Sequence, residues 1–240
     1  MPDQNITINC AVGESFSVWD KGFDEVIFPN IDLANIACGF HASDPATMAR
    51  TIQRAAQHKV KIGAYPSFQD RVNFGLQSQT LPLEDITQLI LYQVGALQTQ
   101  CQYFGQRLHH IRPQGALFEQ MMAEDDVMRA ICMASASLGL PLMVAASQDN
   151  ERSLAIADDY DVPLLFNIEV DKPHPATSAS ARKLDSHNII AQVTHLIDFG
   201  QWYQGSNQEL AIEADTLSLS VDCAQDALLI YQLRQIIDGA

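Results

Sequence analysis

Short apolar runs recur along this chain, each followed by a stretch of helical periodicity, and that alternation limits the fold more than any other feature. Ile6, Ile8 and Cys10 alternate with polar residues, and apolar runs follow at 33–38, 60–64, 108–111, 140–146, 163–168 and 217–221. Several are nearly continuous, as strands covered on both faces must be. Between them lie helices. Asp44 before Pro45 reads as an N-cap with proline in the first turn, opening a helix to about His58. Ile86, Ile90, Val94, Leu97 and Cys101 share one face of a long helix that Gly105 can end. Residues 125–138 are helical up to Gly139, and Leu229, Ile230, Leu233, Ile236 and Ile237 form a stripe within 224–238. Strands alternating with helices predict a mainly parallel α/β sheet; the pattern alone leaves open whether it closes. Two polar loops interrupt the rhythm, at 66–80 and 171–187, and long loops in compact domains are often functional or mobile.

The length of 240 residues and a hydrophobic content of 47% suit one domain, 1–240, with a sizeable core. An α/β barrel typically needs about 250 residues. With 14 basic and 29 acidic residues the formal charge is -15, so a nucleic-acid partner is excluded by repulsion. Cys10, Cys38 and Cys101 sit in apolar segments, no CxxC pair occurs, and the expected state is reduced thiol in a cytoplasmic protein. The N-terminal MPDQNITINC lacks the basic and apolar regions of a signal peptide. No apolar run approaches the ~20 residues of a membrane span, so no membrane partner is expected.

Six blocks carry a resemblance. They are NCAVGES from Asn9, ANIACGFHASDPATM from Ala34, GAYPSFQDRVNFG from Gly63, LYQVGAL from Leu91, HIRPQGALF from His110 and ADTLSLSVD from Ala214. In this order they resemble the LamB/YcsF family over nearly the whole chain. The resemblance implies a distorted β/α, TIM-like barrel of the glycoside hydrolase/deacetylase group, with about seven mainly parallel strands. It also implies a 5-oxoprolinase role, the ATP-dependent opening of a lactam, 5-oxoproline, to glutamate with two partner subunits. The oligomeric state stays open, a homo-oligomer included. The chain departs from the family at several polar positions. Thr7 and Ala11 stand for two aspartates, Tyr65 for a histidine, Leu76 for an arginine, and Ser220 for a histidine. Arg112 and Gln114 replace a lysine and a histidine, and Ile168 and Glu169 stand where the family has an Asp-Arg pair.

Opening a stabilised amide requires an activated carbonyl, a base for water and a home for the oxyanion. No GxxxxGK[ST] loop occurs, so ATP, a co-substrate implied by the family alone, has no P-loop here. In a β/α barrel the reactive groups gather at the C-terminal ends of the strands. Glu14, His41, Asp44 and Arg112 are therefore the catalytic candidates. Asn9, Asn35, Tyr65, Asp70, Arg71, Gln114 and Asp222 are the substrate-binding candidates. Plainer roles compete: Asp44 and Asp222 as helix caps, His41 as a turn histidine, Arg112 as an ion-pair partner. Cys38-Gly-Phe-His41 reads as a core cysteine before a turn, not a thiol nucleophile. Metal is not expected, because Ala11 cannot coordinate and Tyr65 is a poor substitute for imidazole. Two readings remain: one component of a hydrolase, or a barrel that binds ligand or partners after losing its chemistry. The neutral replacements Ala11, Tyr65, Gln114 and Ser220 lead to an expectation of ligand binding without efficient turnover, since these groups do not titrate near neutrality.

Overall fold

The computed structural model describes residues 6–171, 185–204, 208–212 and 214–239. Nine strands follow in order: β1 (Thr7–Val12), β2 (Leu33–Ala37), β3 (Lys61–Tyr65), β4 (Leu108–Ile111), β5 (Leu142–Ala145), β6 (Leu164–Glu169), β7 (Gln201–Gln204), β8 (Gln208–Ala211) and β9 (Thr216–Ser218). The helices are α1 (Asp24–Ile27), α2 (Pro45–His58), α3 (Leu83–Tyr103), α4 (Gly115–Ala123), α5 (Asp125–Leu138), α6 (Glu151–Asp158), α7 (Ser186–Phe199) and α8 (Ala224–Asp238). Seven strands close into a barrel in the order β1-β2-β3-β4-β5-β6-β9, every neighbouring pair parallel. The expected TIM-like barrel is present, and closure comes from β9 pairing with both β6 and β1.

The seven expected strands match the barrel, with ends shifted by a few residues. Helices α1, α4, α6 and α7 were not expected, nor was the antiparallel hairpin β7–β8. Only Glu124 separates α4 from α5, so their periodicities merge in the sequence. The 66–80 loop is irregular as expected; of the second polar loop, residues 172–184 lie outside the described residues.

Alternation along the strands divides the core in two. Outward-facing Ile8, Cys10, Val12, Ile36, Ile62, Ile111, Leu142 and Val144 are buried beneath the helices. Each such aliphatic contributes roughly 1.5–3 kcal/mol of burial. The inward-facing set includes most of the buried polar side chains of the strands, in two layers that carry the functional argument. Cys10, Cys38 and Cys101 are buried core thiols, and burial pushes that of Cys38 up to about 12. No described helix is long and apolar enough to cross a membrane.

Candidate active site

The lower layer of the barrel interior is a sealed amide network. Asn9 Nδ2 donates to Asn167 Oδ1 and to Thr216 Oγ1, both at 2.8 Å. Asn35 Nδ2 donates to Asn9 Oδ1 at 2.8 Å, and Asn167 Nδ2 donates to Ser218 Oγ at 2.9 Å. With its amide nitrogen committed, Asn35 offers an acceptor oxygen to His110 Nε2 at 2.7 Å, so that nitrogen carries the proton. His110 is fully buried, and burial, with the nearby charges of His109, Arg112 and Lys61, lowers its pKa to about 3. It fills space that only glycine leaves free, since a Cβ on Gly63 would lie 2.2 Å from His110 Nε2. Asn9 and Asn35, named above as substrate contacts, are 0% and 1% exposed and spend their polar atoms on each other and on this network.

Two residues further along the strands the interior opens. Ala11, Ala145 and Glu169 are half-buried, unlike the residues beneath them. Arg112, just past β4, donates from Nη1 to the Tyr65 hydroxyl at 2.9 Å and from Nη2 to Glu169 Oε1 at 2.5 Å. Its guanidinium also faces the Phe118 ring in the first turns of α4. Burial alone would lower the Arg112 pKa; Tyr65 and Glu169 reverse that and raise it, so the cation is secure.

His41 sits in the turn after β2, 1% exposed. Its Nδ1 lies 2.9 Å from Ser67 Oγ. The single Ser67 hydroxyl proton goes to the Phe68 carbonyl at 2.9 Å, so His41 Nδ1–H must be the donor to serine. Nε2 is the ring nitrogen left facing the mouth, without a hydrogen-bond partner among the described residues. Gln93 of α3 holds this arrangement in place: it accepts from the Ser67 amide at 3.1 Å and donates to the Ser67 carbonyl at 2.8 Å. Nε2 points toward Glu14 Oε1, 3.8 Å away. Lys21 reaches back from the loop after β1 to pair with Glu14 at 2.5 Å and with Asp222 at 3.3 Å. Burial pushes the Glu14 carboxyl up, but His41 and Lys21 outweigh it and hold the group below the ordinary glutamate value. Tyr65 and Phe74 flank the imidazole edge-on, with ring centroids 5.5 Å and 5.3 Å away.

Gln114 completes the wall. Its Nε2 donates to the Phe74 carbonyl at 2.8 Å, which assigns the amide orientation. Gly75, with φ of 73°, passes so close that a Cβ there would meet Gln114 Oε1 at 2.1 Å and the His41 Cβ at 3.1 Å. Three buried atoms at this end of the barrel have no hydrogen-bond partner among the described residues: His41 Nε2, Arg112 Nε and Gln114 Oε1.

The structure thus gathers Glu14, His41, Tyr65, Arg112 and Gln114 at one end of the barrel, and Asp222 joins them through Lys21. Beside Asn9 and Asn35, three further candidates have their contacts away from this group. Asp44 caps α2, accepting from the amides of Ala46 and Thr47 and from Ser17 across the loop. These donors lower its carboxyl to about 2. Asp70 closes its own loop through the amides of Asn73 and Gln77. Arg71 lies over the Phe16 ring and donates to the Gly39 and Ser43 carbonyls, tying loops together. Asp222 does not cap α8: Asp226 takes that role, accepting from the amides of Asp222 and Cys223. Lys21, Ser67, Gln93 and Glu169 escaped the sequence reading as site residues; only Gln93 and Ser67 carried a signal, as members of matching blocks. No group of three or more His, Cys, Asp or Glu among the described residues is placed to hold a metal. A polar cleft of about 280 Å³ lies beside the mouth, between the loop after β1 and α2, and is lined by Trp19, Asp20, Arg50 and Arg54 among others.

Known proteins share both the sequence and the shape. The model of the LamB/YcsF family matches residues 6–240. The chain is 42% identical over 244 residues to a 5-oxoprolinase A subunit of Vibrio vulnificus strain YJ016, covering 99% of each protein. It is 37% identical to the 5-oxoprolinase A subunit numbered 3 of Pseudomonas aeruginosa, covering 98% of each. A lactam utilization protein from Thermus thermophilus superposes with a TM-score of 0.88 at 26% identity, covering 98% of this chain and 96% of that one. A D-allulose 3-epimerase from Methylomonas sp., at a TM-score of 0.51 and 9% identity, shares the fold alone.

Proposed function

The chain belongs to the LamB/YcsF family, and from that premise we propose that it acts as the A subunit of a 5-oxoprolinase, opening 5-oxoproline to glutamate with ATP and partner subunits. Relatives bearing that name at 42% identity over the full length support the reading. The single structural observation that carries it is the orientation of His41. Ser67 engages Nδ1, so the buried Nε2, unmatched among the described residues, is left at the mouth within 3.8 Å of Glu14.

That arrangement suits water activation. Nε2 takes a proton from water as the oxygen adds to the lactam carbonyl carbon. The carboxylate of Glu14 stabilises the imidazolium that results, as a charge partner within about 4 Å does in a dry site. Collapse of the tetrahedral centre breaks the C–N bond, and the imidazolium returns its proton to the leaving nitrogen. Arg112 supplies positive charge for the developing oxyanion. ATP serves as co-substrate of the assembly. Transfer of its γ-phosphoryl to the lactam oxygen, with release of ADP, would make the ring carbon a better electrophile. C–N cleavage would then leave an acyl phosphate, and a second water would release glutamate and inorganic phosphate.

A second reading, binding without turnover, draws on Ala11 and Gln114, which cannot transfer protons. One assay separates the two: the chain combined with partner subunits of a related 5-oxoprolinase, 5-oxoproline and ATP, with glutamate as the readout. Glutamate formation that requires ATP and is lost in His41→Ala supports the hydrolase reading. No glutamate from partners that are active with a relative's A subunit overturns it.

A further inference from the structure

The chemical sense of two of the orphaned atoms in the mouth is fixed by what their own side chains already do, and His41 Nε2 lies beside them with Nδ1 engaged by Ser67. Gln114 Oε1 is an acceptor, because Nε2 is bound to the Phe74 carbonyl and a flipped amide would set two oxygens against each other. Arg112 Nε–H is a donor, with Nη1 and Nη2 committed to Tyr65 and Glu169. His41, Arg112 and Gln114 are 1%, 5% and 4% exposed, and a polar atom buried without a partner is costly unless a ligand satisfies it. The three belong to one neighbourhood: Gly75 touches both Gln114 and His41, and Tyr65 joins His41 to Arg112.

We propose that Gln114 and Arg112 together read the edge of a secondary cyclic amide: the ring N–H donates to Gln114 Oε1, and the ring carbonyl accepts from Arg112 Nε–H. A cis-amide ring presents that donor and acceptor side by side. The attacking water then donates to His41 Nε2. The inference rests on the lactam reading above and makes Gln114, which stands for a family histidine, the residue that distinguishes a lactam from a lactone. A lactone has the same ring shape and carbonyl but an oxygen where the donor should be, so it would set that oxygen against Gln114 Oε1.

Binding to the full chain without ATP or partners, measured calorimetrically, tests this. Three probes suffice: 5-oxoproline, its N-methyl derivative and the corresponding five-membered lactone carboxylate. The lactam should bind at least about tenfold more tightly than either of the others, the size of a lost hydrogen bond. Gln114→Leu should erase that preference, while Gln114→Glu, which keeps an acceptor oxygen, should preserve it. Thermal melts of both variants show whether each is folded, and the wild-type comparison stands without them. Equal binding of lactam and lactone, or no binding of the lactam, overturns the proposal. Because turnover plays no part, selective lactam binding beside a failed glutamate assay would leave this inference standing and remove the hydrolase reading.

Discussion

The two interior layers of the barrel use similar residue types to opposite ends. In the lower layer Asn9, Asn35, His110 and Asn167 are buried and direct their polar atoms at one another across the barrel. One residue pair further along the strands, Arg112, Gln114 and His41 are equally buried, yet each keeps one polar atom unmatched among the described residues. Burial therefore does not separate structural from functional polar groups here; saturation does. A network that closes on itself stabilises one arrangement of the strands. A network with directed, unsatisfied ends is poised for something from outside.

The sharpest way to break the contrast is to attack the lower layer by volume. Gly63→Ala should be the most damaging single change, since the new Cβ must share space with the His110 ring at 2.2 Å. Overpacking of this kind costs about 1–3 kcal/mol or more, and a displaced His110 also strips Asn35 of its partner at roughly 1–3 kcal/mol. Denaturant unfolding should show the loss, or no folded protein at all. A normal midpoint would mean that the lower layer yields easily and that the contrast is overdrawn.

At the mouth the expected losses fall on function. His41→Ala should reduce turnover by about 10²–10⁴-fold with a much smaller change in unfolding midpoint. Equal damage to stability and turnover would place His41 with the structural layer. Ser67→Ala should weaken turnover less, by releasing the tautomer without removing the base, and its activity against pH is the measurement that separates it from a folding defect.

Acid discriminates the layers differently. The folded pKa of His110 is about 3, below the ordinary 6.5, so the unfolded chain binds one more proton between those values. Stability contributed by neutral His110 is complete above about 6.5 and is lost as pH falls toward 3, at about 1.4 kcal/mol per pH unit. Glu14 is held below its ordinary 4.5, so its contribution is present above that value and is lost only as pH falls further, through the lowered pKa. His110→Gln should flatten the stability profile between 6.5 and 4.5 while leaving the steeper fall below it. An unchanged slope in the upper window would show that His110 is not buried in its neutral form.

How much of this was legible beforehand follows the range of the interactions. The strands and the helices α2, α3, α5 and α8 were readable because their periodicity is local. Closure was not, because it depends on β9 lying between β6 and β1, a pairing across 209 residues from Thr7 to Thr216. His41, Glu14 and Arg112 could be named as candidates because they follow strands in recognisable blocks. Lys21 was not, because it reaches Glu14 by a loop that folds back, without period or motif. Glu169 was read only as half of a replaced pair, and its bond to Arg112 exists only once β4 and β6 face across the barrel. Asn9 and Asn35 were named as substrate contacts, and in the structure their side chains meet one another and the lower network. A strand's alternation gives the side of the sheet and not the depth in the barrel.

The smallest effect expected is also the cleanest check on the sorting of residues by saturation. Asp44 follows β2 at the C-terminal end of the barrel and was a catalytic candidate on that account. Its carboxylate is spoken for: Oδ1 accepts from Ala46 and Thr47 amides at 2.9 Å, and Oδ2 accepts from the Ser17 amide and the Thr47 hydroxyl at 3.0 Å. A carboxylate with that many donors at a helix start is a cap, and replacing a cap by alanine costs typically ~1 kcal/mol. Asp44→Ala should therefore lower the unfolding free energy by about that amount, and Asp44→Asn, which keeps a capping oxygen, should recover most of it. Glutamate formation should stay within about threefold of the unmodified chain, far from the roughly 10²-fold threshold that marks loss of a proton-transfer group. If Asp44→Asn instead folds normally and loses turnover as His41→Ala does, then a fully saturated carboxylate is part of the chemistry. Saturation would then fail as the criterion that divides the two layers.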